Sequence, residues 1–380
     1  MILNKEHLAI RETVSAFIDK EINPHTDQWE TEGIFPAHSL FKKMGDLGLL
    51  GISKPTEFGG MGLDYSYQVV FAEELGLISS GGVSMAIGVQ TDMATPALAK
   101  YGNDQLRQDF LAPAISGDMV CSIAVSEPTA GSDVSAIKTS AVKDGDDYII
   151  NGTKMWITNS TQADYICLLA NTSDDQKHVN KSLIIVPTDV PGFSTSSRLN
   201  KLGMRASETA ELIFEDCKIP SENMLGKEGD GFIQAMKILD GGRISIAALS
   251  LGIAKGAYEA ALKYSKEREQ FGKPISEFQA IAFKLADMAT QIEAAELLTL
   301  QAADLKNRGQ KMTTESAMAK YYASEVSVKV ATDAVQIFGG YGYTKDFPVE
   351  KFYRDCKLCT IGEGTSEIQK LVISRNILKD

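Results

Sequence analysis

The spacing of apolar residues changes period twice along the chain. Up to about residue 115 it is helical: Ile10, Val14, Phe17 and Ile18 form one stripe, and a second runs over 98–111. From about 119 to 230 it shortens into β-rich runs at 120–125, 148–150, 163–169, 183–186 and 211–214. Asn151-Gly152 predicts a hairpin turn, and Pro187, Pro191 and Gly192 punctuate the later strands. Helical spacing then returns over roughly 231–266, 275–308, 312–338 and 364–378, with Gly272-Lys-Pro274 between the first two. The order helical, β, helical predicts an α+β fold with segregated layers rather than alternating α/β units. Three domains are expected, over 1–117, 118–230 and 231–380.

Composition narrows the function. A chain of 380 residues, 44% hydrophobic, can bury a large core in more than one domain. Its net charge of −12 argues against nucleic acid, which needs a basic face. The start, Met1-Ile-Leu-Asn-Lys-Glu-His-Leu8, is charged where a signal peptide is apolar, and no eighteen apolar residues run together. A soluble, cytoplasmic protein is the expectation. The five cysteines include a C-x-x-C pair, Cys356 and Cys359, but no second pair and no histidine spacing complete a zinc site, so they are expected to pack and no metal is expected. With four histidines in all, a catalytic base is expected to be a carboxylate.

Phosphate motifs are missing in their usual forms. Phe58-Gly-Gly-Met-Gly-Leu63 lacks dinucleotide spacing, and Gly226-Lys227 and Gly272-Lys273 lack the rest of a P-loop. Two other segments suit a nucleotide. Ser126-Glu-Pro-Thr-Ala-Gly-Ser-Asp133 is a small-residue loop that can turn N–H groups toward an anion, or an ordinary surface loop. Trp156-Ile-Thr158 places an aromatic plane and a hydroxyl on one strand face, suited to a flat heterocycle or to a core. Near the C-terminus, Ile361-Gly-Glu-Gly-Thr-Ser-Glu-Ile-Gln369 presents Glu363 between two glycines, with Ser366 and Gln369 spaced as a capping box. Such a carboxylate serves as a general base or merely complements a helix dipole.

Together these segments resemble the acyl-CoA dehydrogenase family across essentially the whole chain. The resemblance rests on Ala124-Val-Ser-Glu-Pro-Thr-Ala-Gly-Ser-Asp133, Asn151-Gly-Thr-Lys-Met-Trp-Ile-Thr-Asn159, Leu202-Gly-Met-Arg205, Arg268-Glu-Gln-Phe-Gly-Lys-Pro274, Gln336-Ile-Phe-Gly-Gly-Tyr-Gly342 and Glu363-Gly-Thr-Ser-Glu367. It implies a helical domain, a β-barrel-like middle domain and a C-terminal four-helix bundle, assembled as a homotetramer (a dimer of dimers). It also implies bound FAD. Ile123, Val125, Ser126, Trp156, Ile157 and Thr158 would flank the flavin, and Gly131 and Ser132 the pyrophosphate. Arg268, Phe271, Gln336, Gly339 and Gly340 would reach a neighbouring subunit's FAD, Gln279 would also bind the cofactor, and Thr365 and Glu367 would meet the adenosine half. Ser132, Asp240, Arg243 and Gly364 would line the acyl-CoA channel.

By the same resemblance Glu363 is the base that removes the α-proton of an acyl thioester, giving the trans-2-enoyl-CoA while an electron-transfer flavoprotein takes the electrons. Another branch of the family carries its base on a bundle helix; the matching position here is Gly242, which has no side chain to offer. Straight-chain enzymes often have Tyr before the base, whereas this chain has Gly362, which implies room for branched, cyclic or bulkier acyl groups. A flavin oxidase or monooxygenase of the same fold, or a flavoprotein scaffold without catalysis, are the alternatives.

Overall fold

The computed structural model describes residues 3–174 and 178–379; Met1, Ile2 and Asp380, the outer ends of the expected domains, lie outside the described residues. The first helix, α1 (Lys5–Phe17), starts where the Asn4 side chain accepts from the N–H groups of Glu6 and His7 and the His7 ring returns the bond. It continues through α2 (Thr26–Glu32), α3 (Ala37–Asp46), α4 (Tyr65–Leu75), α5 (Gly81–Gly88), α6 (Thr95–Tyr101), α7 (Asp104–Leu106) and α8 (Ala112–Ser116). Every residue of α4 is buried, because α1 covers one side and C-terminal helices the other. A wide turn, Val89–Ala94, joins α5 to α6 and carries Asp92 inward.

The middle of the chain forms a seven-stranded sheet: β1 (Cys121–Ala124), β2 (Ser140–Asp144), β3 (Asp147–Thr158), β4 (Tyr165–Asn171), β5 (Lys181–Pro187), β6 (Phe193–Thr195) and β7 (Thr209–Pro220). The order is β1-β4-β2-β3-β7-β6, with β5 also on β4. The apolar pattern missed β2, whose outer residues are polar, and the three-residue β6. It also misplaced one turn. The β2–β3 hairpin turns at Gly145-Asp146, since Asp144 pairs with Asp147. Asn151-Gly152 instead forms a bulge inside β3, where the Asn151 amide exchanges two 2.9 Å bonds with Asp216 of β7. Gly152 has φ +143°, and a Cβ there would lie 2.6 Å from Thr139 Oγ1. A bulge uses the conformational freedom of Asn-Gly as readily as a hairpin does.

The C-terminal third holds α9 (Gly231–Glu267), a short hairpin of β8 (Glu269–Gln270) and β9 (Lys273–Pro274), α10 (Gln279–Asn307), α11 (Thr313–Phe338), α12 (Val349–Cys359) and α13 (Ser366–Ile377). Helix α12 is an addition to the four helices expected from periodicity. Its inner face is Val349, Phe352, Asp355, Cys356 and Cys359, too poor in aliphatic residues to stand out. Both cysteines pack in the core. Asp355 joins the three parts of the fold, accepting from Gly81 N at 2.8 Å and Met204 N at 2.6 Å. Burial raises its pKa to about 6. Among the described residues no helix is long and apolar enough to cross a membrane, and no group of His, Cys, Asp and Glu could hold a metal.

Candidate active site

Glu363 lies on the turn between α12 and α13 with φ +52°, a left-handed conformation uncommon outside glycine. Three contacts hold it there. Gln369 Nε2 donates to the carbonyls of Glu363 (3.0 Å) and Gly364 (2.9 Å), and Lys320 Nζ on α11 donates to Gly364 O (2.7 Å). The expected capping box therefore shifts. Thr365 is the N-cap, accepting from Ile368 N, while Ser366 Oγ turns away to Glu325 and Gln369 serves the turn. The Glu363 N–H donates to no group among the described residues, so it is free to polarise a ligand oxygen.

The carboxylate of Glu363 sits directly over Gly242. A Cβ at Gly242 would fall 2.5 Å from Oε1 and 2.6 Å from Oε2. Although the residue as a whole is partly exposed, Oε2 is buried and accepts no hydrogen bond. Burial raises the pKa of Glu363 to about 8; Arg243, Lys320 and Lys306 oppose that rise and Asp92 adds to it. Arg243 is itself paired with Asp240 at 2.6 Å, and Thr313 holds the other oxygen of Asp240. The structure thus gathers Glu363, Gly364, Asp240 and Arg243 around one point on α9.

Beside Gly242, one face of α9 borders a small cavity. Gly242, Ser245, Ile246 and Leu249 recur at i, i+3, i+4 and i+7 and so share a face. The last three line this narrow cavity of ≈ 10 Å³, whose other walls mix apolar residues such as Leu75 and Met85 with the polar Ser84 and Asp92. Nothing lies within 4 Å of a Cβ built on Gly88. Beside the base, a Cβ on Gly362 would meet only Leu358, at 3.6 Å or more.

A second group of expected residues lies on the sheet. Lys154, fully buried on β3, donates to Glu127 Oε1 and to Val125 O, both at 3.0 Å. Glu127 also accepts from Lys138 N and Thr139 N. Burial lowers the pKa of Lys154 to about 8; burial works upward on Glu127, but Lys154 and the hydrogen bonds carry it below the usual value. This clamp fixes the loop carrying Ser126, Gly131 and Ser132 against β3. Ile123 and Val125 are half-buried on β1 and just beyond it. Beyond Lys154 the strand bulges, and Trp156 swings out with φ +67° and 62% exposure. Ile157 is buried and Thr158 half-buried. The bulge, not legible from alternation, breaks the regular two-residue period on which the shared face of Trp156 and Thr158 was expected.

A third group surrounds an open pocket of ≈ 690 Å³ between the β8–β9 hairpin and the end of α11, whose wall includes Arg268, Phe271, Gly339 and Gly340. Phe271 and Gly272, both at positive φ, form the hairpin tip, and Phe271 is 94% exposed. Gln279 opens α10 and Gln336 lies in the last turn of α11; neither lines this pocket. Glu367 stays exposed at the start of α13, its pKa lowered by its own N–H and the Thr365 hydroxyl.

Family models match all three parts: acyl-CoA dehydrogenase N-terminal domain over 4–118, middle domain over 122–217 and C-terminal domain over 229–378. The chain belongs to the acyl-CoA dehydrogenase family, and as such it is an FAD-dependent oxidoreductase. It is 46% identical to the probable acyl-CoA dehydrogenase YngJ of Bacillus subtilis, over 99% of both chains. It is 44% identical to the mitochondrial short-chain specific acyl-CoA dehydrogenase of Rattus norvegicus, over 99% of this chain and 91% of the other. A chain of the solved structure described as "Electron transferring flavoprotein of Acidaminococcus fermentans: Towards a mechanism of flavin-based electron bifurcation" superposes with a TM-score of 0.97 at 44% identity, covering 100% of each.

The surface fits FAD. An exposed tryptophan on a strand bulge offers a plane to a flat ring system. Gly131, Gly339 and Gly340 each leave open space where a Cβ would stand. Sequence reasoning missed Tyr65, Asp92, Lys306 and Lys320, which come from four separate elements. The signal that could have pointed to them was Gly241-Gly242, a glycine pair inside a long helix.

Proposed function

We propose that the chain dehydrogenates a short acyl-CoA thioester at Cα–Cβ, with Glu363 removing the α-proton. The observation that carries this is the seat of Glu363: a carboxylate over a glycine, with one oxygen buried and unpaired. Desolvation brings its proton affinity toward that of an activated carbon acid, as a base for this step requires. The unpaired Glu363 N–H supplies a donor for the thioester oxygen as enolate character develops. Bound FAD, held by Ser126, Gly131, Ser132, Trp156 and Thr158, supplies the two-electron acceptor for the β-hydrogen. Asp240 and Arg243 then line the path of the CoA arm, with Ser132 near it.

Short chains are supported by the likeness to the short-chain specific relative. The open position beside Gly362 supports width at the reacting end, and so branched or cyclic acyl groups. An electron-transfer flavoprotein as acceptor is supported by the likeness to the Acidaminococcus fermentans structure. A homotetramer is supported by the exposed Phe271 and the pocket beside it, which would complete the FAD site of a neighbouring subunit. Turnover of butyryl-, isobutyryl-, cyclohexanoyl- and octanoyl-CoA tests the substrate. The reading predicts activity with the first three and little with octanoyl-CoA; a sharp preference for unbranched chains contradicts the role of Gly362.

A further inference from the structure

Helix α13 begins with the spacing of a capping box, yet Gln369 does not close one. In such a box the glutamine side chain serves the backbone N–H of the N-cap. Here its Nε2 donates instead to two consecutive carbonyls, Glu363 O at 3.0 Å and Gly364 O at 2.9 Å. Both partners are acceptors, so the amide must present its NH2 to them. Its Oε1 is left buried without a partner, and the side chain is fully buried. An unpaired buried oxygen is costly, so this orientation makes sense only if the two carbonyls need holding.

They do. Glu363 at φ +52° and Gly364 at φ +89° are left-handed in succession, and a residue with a side chain persists there only where its surroundings fix it. The ends of the turn are tied by the backbone, Gly362 N to Leu358 O and Ser366 N to Thr360 O. Between them the N–H groups of Glu363, Gly364 and Thr365 donate to nothing among the described residues. Only the carbonyl side is gripped, by Gln369 and by the buried Lys320, whose Nζ lies 2.7 Å from Gly364 O. Gly364 leaves room for this grip, since a Cβ there would lie 2.8 Å from Gln369 Nε2.

We propose that Gln369 and Lys320 are positioning residues for proton abstraction: by holding the carbonyls of Glu363 and Gly364 they keep the base left-handed, with its carboxylate over Gly242 and its N–H unpaired. This inference rests on Glu363 being the base. Fixing Glu363 O fixes the rotation of the backbone from which the side chain departs. A trans peptide directs its N–H opposite to its C=O, so the same bond turns the Gly364 N–H away from Gln369. Neither grip depends on ionisation, because an amide and an amine both donate whether or not they carry charge. Losing a grip lets the turn relax toward ordinary backbone conformations. The base then moves while the walls of the acyl-CoA site stay, so the loss falls on the chemical step rather than on binding.

The test is anaerobic flavin reduction by butyryl-CoA and by its α-deuterated form, for wild type, Q369M and K320M, with flavin content measured alongside. Methionine keeps the length of either side chain and removes its donor. The limiting rate is expected to fall about 100-fold in Q369M, which frees a carbonyl entirely, and about tenfold in K320M, where Gln369 still holds Gly364 O. The butyryl-CoA concentration at half-saturation should stay within about twofold of wild type, and the α-deuterium isotope effect should be at least as large. A Q369M rate near that of wild type overturns the proposal. So does a slow variant whose affinity falls in proportion or whose isotope effect vanishes, because the damage would then lie in binding. If Q369M fails to hold flavin, K320M decides by the same criteria. The base assignment fails separately: E363Q reducing its flavin would refute it, whereas a fast Q369M beside an inert E363Q refutes only the grip.

Discussion

At the scale of single residues, the site depends on atoms that are missing as much as on those present. Gly242 is a seat only because it has no side chain. Even one methyl there would meet both carboxylate oxygens at under 3 Å, so G242A must push Glu363 aside. A misplacement of that size is expected to lower kcat about 100-fold, with FAD binding unchanged. Steady-state kinetics with the flavin spectrum as control check this; a near-wild-type kcat would mean the carboxylate works from another position. Glu363 and Gly242 were both legible in the sequence, one as an acid between glycines and the other by position in a family pattern. The partners that tune them were not. Lys306, Asp92 and Tyr65 carry no motif, and only folding brings α10, the turn after α5, and α4 to one point on α9.

Elements show a similar division between pattern and packing. The long helices were legible because their apolar faces repeat over many turns. Helix α12 was not, since two cysteines and a carboxylate make up three of the five residues of its buried face. Asn151-Gly152 gave the right local conformation and the wrong topology, because the residue pair does not say whether a strand turns back or bulges. The loop at 126–133 read as anion-binding or as an ordinary surface loop, and the structure shows what fixes it: the buried pair of Lys154 and Glu127. Cutting one partner leaves the other charge buried, so K154M is expected to cost about 3–5 kcal/mol of stability. It should also loosen FAD, since the loop shares that clamp. Chemical denaturation of the holoenzyme and fluorescence of released flavin check both, and unchanged values for both would show that the clamp is dispensable.

For the whole molecule, the three-part organisation followed from two changes of hydrophobic period, and composition excluded the classes that need a basic surface. Assembly is different. A single chain exposes Phe271 almost fully beside an open pocket, and periodicity gives no account of why an apolar residue should sit on a hairpin tip. The proposed tetramer explains it, with the hairpin completing a neighbour's cofactor site. F271A and R268A are therefore expected to lose FAD on dilution and to shift toward smaller assemblies. Sedimentation with detection at the flavin band reads both effects. A variant that stays tetrameric and keeps its flavin would remove the hairpin from the cofactor site.

The central claim is that Glu363 takes the α-proton in an FAD-dependent acyl-CoA dehydrogenation, and anaerobic flavin reduction by butyryl-CoA tests it most directly. Wild type should bleach within the mixing experiment, without oxygen or any further acceptor. E363Q should bind both FAD and acyl-CoA and leave the flavin oxidised. Bleaching of E363Q at a rate near that of wild type would contradict the account.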